Sequence, residues 1–77
     1  MILKQLDEGR LARFTIKEDY QLLFSHYVEG GWIGIVWQQD DEHVYIKKVN
    51  ADINSRMYFG AIERMPRDMM EDVIYLV

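Results

Sequence analysis

Apolar positions along this chain alternate in the first segment, switch to a helical spacing, and then return to alternation in the centre. Residues 2–14 read as two short strands around Asp7, Glu8, Gly9 and Arg10, a turn in which glycine supplies a positive φ. From residue 16 the period changes. Ile16, Tyr20, Leu23, Phe24, Tyr27 and Val28 fall at i, i+4, i+7, i+8, i+11 and i+12, one apolar stripe of a helix. Thr15 and Glu18 have capping-box spacing at its start, and Gly30 follows as a C′ residue. The pattern predicts an amphipathic helix over about 15–29. A strand over 20–28 would put Leu22, Phe24 and Val28 on one face and Leu23 and Tyr27 on the other, without alternation.

Residues 32–38 and 43–49 are rich in β-branched and aromatic side chains and flank the polar run Gln39, Asp40, Asp41, Glu42, which predicts an antiparallel hairpin over 32–49. A two-residue turn at Asp40 and Asp41 pairs Trp37 with Val44, Ile35 with Ile46 and Ile33 with Lys48 on a core face. The same turn pairs Trp32 with Val49, Gly34 with Lys47, Val36 with Tyr45 and Gln38 with His43 on the opposite face. Ile53, Met57, Tyr58, Ala61, Ile62 and Met65 then recur at helical spacing behind the N-cap candidates Asp52 and Asn54, with a strand over 56–62 as the alternative. Pro66 stops that element and can start another. The apolar run 73–77 suits a terminal strand as well as the last turns of a helix. The expected fold class is α+β: a small single domain, 1–77, with a mostly antiparallel sheet built from an N-terminal hairpin and the hairpin 32–49. The 15–29 helix packs on the Ile33, Ile35 and Trp37 face, and the C-terminal segment is helical or mixed.

Composition narrows the class further. The 77 residues are 49% hydrophobic and 29% charged, with one proline and no cysteine, as expected for a folded chain with a single core and without disulfides or cysteine-based zinc sites. No apolar stretch is long enough to span a bilayer, and the first residues do not begin a signal peptide, so the expected setting is cytoplasmic. Net charge is −4, which disfavours non-specific nucleic-acid binding and favours a partner with a basic surface.

No candidate chemistry rises above this background. The residues able to act as nucleophile or base, Thr15, Ser25, Ser55, His26 and His43, sit in no recognisable catalytic motif, and the chain reads as non-enzymatic. Gly30, Gly31 and Gly34 lead from helix into strand, the reverse of a phosphate cradle. His43 beside Asp40, Asp41 and Glu42 reads as a solvated hairpin tip, so neither metal nor cofactor is expected. Met57, Met65, Met69 and Met70 read as core filling.

A chain this small covers only one sheet face with helices. The face carrying Trp32, Val36, Tyr45 and Lys47 is then the expected partner-binding surface, with Asp40, Asp41 and Glu42 at its tip; the alternative is that the N-terminal strands and the C-terminal segment wrap around this face and bury it as a small barrel-like core. The expected function is a protein-binding module acting as a stoichiometric inhibitor or adaptor of a partner with a basic surface. The alternatives are a nucleic-acid-binding module using Tyr45, Lys47, Trp32 and arginines, and a structural homo-oligomer, of which a homodimer is the simplest.

Overall fold

A computed structural model describes residues 5–24, 27, 30–49 and 62–76. Five strands, β1 (Leu11–Ile16), β2 (Trp32–Gln39), β3 (His43–Lys48), β4 (Ile62–Pro66) and β5 (Met70–Tyr75), form one antiparallel sheet in the order β4-β3-β2-β1-β5. The only helical segments among the described residues are two 3-10 turns, Glu18–Leu23 and Arg67–Met69. The α+β expectation is therefore corrected to an antiparallel sheet. None of the described helical segments is long and apolar enough to cross a membrane.

The amphipathic helix fails because its first turn belongs to a strand. Ala12, Phe14 and Ile16 alternate inward along β1, and Thr15 and Ile16 pair with Asp72 and Met70 of β5. This removes the capping box: Thr15 Oγ1 donates to the Asp72 carbonyl, and the residue preceding the 3-10 turn is Lys17, with no side-chain cap. What remains of the stripe forms a lid. Tyr20, Phe24 and Tyr27 pack on the core, and the Tyr27 hydroxyl accepts from the Ile16 N–H. Leu23 is exposed on the turn beside Leu22. Residues 25, 26, 28 and 29 lie outside the described residues, as do 50–61, on which the second helix and its strand alternative mostly fall. Ile62 to Met65, the last part of that expected helix, are strand β4.

At the N-terminus, the expected turn is present at Asp7 to Arg10, with Gly9 at φ 88°. The first arm of the expected hairpin lies largely outside the described residues, and Gln5 and Leu6 are not strand. Leu6 instead crosses the end of the sheet, where its N–H donates to Gln39 Oε1 and its carbonyl accepts from Gln39 Nε2.

The sheet curls strongly. Flat, its outer strands would stand about 19 Å apart, whereas the steps from Pro66 to Met70 reach at most about 14 Å. β4 and β5 lie at opposite edges yet are joined by the single turn Arg67–Met69. Curling brings the edges together and gives the sheet an inner and an outer face. Leu6, Phe14, Ile16, Trp32, Val36, Val44, Ile46, Met65 and Met70 fill the inner face around Ala12. Trp32 anchors this core, with the rings of Phe24 and Tyr27 edge-on at 5.8 and 5.3 Å.

Candidate functional site

The register of β2 against β3 decides which tryptophan meets solvent. Asp40 is the first residue of the hairpin turn rather than one of its two central residues: its Oδ1 accepts from the N–H groups of Glu42 (2.8 Å) and His43 (2.7 Å), and its own N–H donates to the His43 carbonyl (2.9 Å). An aspartate capping its own turn in this way is an Asx turn, with Asp41 and Glu42 at the centre. The expected register is thereby displaced by a residue or more. Gly34 pairs with Lys48, Ile35 with Lys47, Val36 with Ile46, Gln38 with Tyr45 and Gln39 with Val44, with a bulge at Trp37.

Because side chains alternate, the two-residue shift set by the turn keeps each residue on its expected face, and the one-residue shift at the Trp37 bulge turns the rest of β2 over. Trp32 and Val36, expected on a binding surface, are in the core, whereas Ile33, Ile35 and Trp37, expected in the core, lie on the outer face. A bulge lets two residues of one strand oppose one of its neighbour, so Trp37 joins Gln38 on the outside and Gln39 turns in toward Leu6.

The outer face follows from the pairings. One row across the sheet runs Ile62, Lys47, Ile35, Leu11. A second holds Ile33, Arg13 and Ile74. A third holds Arg64, Tyr45 and Gln38, with Trp37 at the bulge. Trp37, Ile62 and Ile74 are 45, 49 and 51% exposed. The Lys47 ammonium lies 4.6 Å from the centre of the Trp37 ring, so its stem covers part of the face while its charge stays at the surface.

Of the expected partner-binding residues, the structure gathers Tyr45 and Lys47 with Trp37 and leaves Trp32 and Val36 inside. Asp40, Asp41 and Glu42 are exposed at the hairpin tip, where they share a shallow cleft with His43, Tyr45 and Arg64. The N–H groups of Glu42 and His43 hold the Asp40 carboxyl below its ordinary value, assisted by the His43 side chain 3.6 Å away. Sequence reasoning missed Trp37. Asp40, read as the first turn residue because there it can cap two N–H groups, corrects the turn but leaves Trp37 opposite Ile46, and the bulge that turns Trp37 out has no local signature in the sequence.

Among the described residues, two cations face inward. Lys48 is buried on the core side, 4.7 Å from the centre of the Trp32 ring and 3.6 Å from Glu63 Oε1. Arg67 is also buried, and its guanidinium donates to the Asp40 carbonyl and to Gln39 Oε1, both at 2.9 Å. It ties the turn between β4 and β5 to the hairpin tip and fixes the end of β2 from which Trp37 projects. Ser25, His26 and Ser55 lie outside the described residues, and no cluster of three or more His, Asp or Glu suited to a metal occurs among the described ones. Comparison of the chain with family models, curated proteins and solved structures finds no match.

Proposed function

We propose that this chain is a small, non-enzymatic protein-binding module, a stoichiometric inhibitor or adaptor, that docks its partner on the outer sheet face around Trp37. The observation supporting this reading is the half-exposed Trp37 at a bulge, set among Tyr45, Lys47, Arg64 and the aliphatic rows of Ile33, Ile35 and Ile62. Tryptophan, tyrosine and arginine carry much of the energy of protein interfaces. Here they project from a hydrogen-bonded sheet, so little order has to be gained on binding.

A nucleic-acid platform is less well supported. Single-stranded binders stack bases on aromatic side chains and neutralise phosphates with a basic groove, whereas the positions between the cations here are mostly isoleucines. A photo-crosslinking amino acid in place of Ile35 tests the reading in host cells. It should trap a defined protein that the same group at exposed Asp19 does not. Trp37→Ala should then weaken the purified complex by about tenfold or more with an unchanged far-ultraviolet spectrum. No specific adduct, or equal binding by Trp37→Ala, refutes it.

A further inference from the structure

From the charge of the outer face we infer that the occupant is an acidic, amphipathic protein segment whose carboxylates alternate with aliphatic side chains. This inference rests on the docking face proposed above and reverses the sign of the partner that net charge alone suggests. The chain carries 13 acidic and nine basic residues, yet the central strands of the outer face carry basic side chains, with the hairpin-tip carboxylates bordering them at Arg64. Acidic residues cluster at the turns, as at Asp7 and Glu8, Glu18 and Asp19, and the hairpin tip, while Glu63 lies on the inner side beside Lys48. The described carboxylates of β5 are Asp72, which pairs with Thr15 on the outer face, and exposed Glu71 at the bulge beside it, both at the β5 edge, whereas Arg13, Lys47 and Arg64 project from three different strands.

The pairings set these three cations on a diagonal. Lys47 lies one strand and two residues from Arg64, about 8 Å on a flat lattice, and two strands and two residues from Arg13, about 12 Å. Each has an apolar residue as a cross-strand neighbour: Tyr45 beside Arg64, Ile35 and Ile62 beside Lys47, Ile33 and Ile74 beside Arg13. Among the described residues neither Arg13 nor Arg64 has an ion-pair partner. A segment of about 14 residues with one carboxylate-bearing apolar face spans this diagonal as a helix and complements it in both charge and hydrophobicity. A second copy of this chain fits worse. Face to face, the convex surfaces would oppose like charges and touch over little area.

The test is an amide NMR titration of the ¹⁵N-labelled protein with two 14-residue amphipathic helical peptides that share an aliphatic face, one bearing glutamates and the other lysines. The glutamate peptide should shift amides on the outer face, including those of Arg13, Ile35 and Lys47, and its affinity should fall as salt rises. The double charge reversal Arg13→Glu, Arg64→Glu should weaken it at least tenfold while the spectrum stays that of the folded protein. If the lysine peptide binds this face equally well or better, the acidic assignment is overturned, and the docking reading survives if Trp37→Ala still weakens binding. Shifts of the same amides on concentrating the protein alone would assign the face to a second copy. Binding only to vesicles of phosphatidylserine in phosphatidylcholine would assign it to a lipid surface. Either result, or no perturbation by any probe, overturns the inference, and the crosslink at position 35 then decides the docking reading on its own.

Discussion

Replacing the two tryptophans separates a core anchor from a surface residue. Trp32 is fully buried, with Phe24 and Tyr27 edge-on to its ring and the Lys48 ammonium over it. Truncating a buried tryptophan to alanine costs about 3–5 kcal/mol, and the loss of two edge-on aromatic contacts places Trp32→Ala near the upper end of that range. A domain of this size holds about 3–5 kcal/mol of net stability, so the variant should be largely unfolded at 25 °C. Trp37 is 45% exposed, so much of its ring surface is already in water. Its truncation, including loss of the contact with Lys47, should cost about 1–2 kcal/mol. Urea titrations followed by far-ultraviolet circular dichroism measure both without relying on tryptophan emission. Trp37→Ala should keep a cooperative transition at a modestly lower midpoint, and Trp32→Ala should show little or none. The reverse order would refute the register of β2 and, with it, the outer face as described.

Three other perturbations probe the frame that holds this face. Gly31 has φ 101°, and a Cβ there would lie 2.5 Å from the Phe14 carbonyl oxygen, whereas Gly30 has φ 85° with open space around it. Gly30→Ala should cost about 1–2 kcal/mol and Gly31→Ala about 3 kcal/mol or more by chemical denaturation. Arg67→Met leaves Gln39 Oε1 and the Asp40 carbonyl short of a donor. It should cost about 2–3 kcal/mol and speed amide hydrogen exchange at Asp40 and His43 more than in β1. Asp40 has a folded pKa below its ordinary value of 3.8, so its contribution to stability is present above that value and is lost as pH falls through the lower folded pKa. The melting temperature of Asp40→Ala should therefore lie below that of the parent near neutral pH, and the gap should close as pH drops below about 4. A gap independent of pH would show that the carboxylate charge plays no part in the turn.

Local chemistry determined part of this protein from the sequence alone. The β-branched stretches expected at 32–38 and 43–49 do form strands, Trp32–Gln39 and His43–Lys48, Pro66 does end an element, and the turn around Gly9 is present. Each depends on neighbours within a few residues, where propensity and turn chemistry act. Tertiary pairing decided the rest. Residues 15–16 can begin a helix by spacing or extend a strand by alternation, and the choice fell to β5, a partner more than 50 residues away. The face of Trp37 was likewise settled by the bulge in β2, because a two-fold period converts the one extra residue there into an exchange of inside and outside, whereas the shift of the turn changes the pairing by two residues and keeps the faces. Thus the sequence supplied two tryptophans on opposite faces of β2, and only the pairing of the strands showed that Trp32 belongs to the core and Trp37 to the surface.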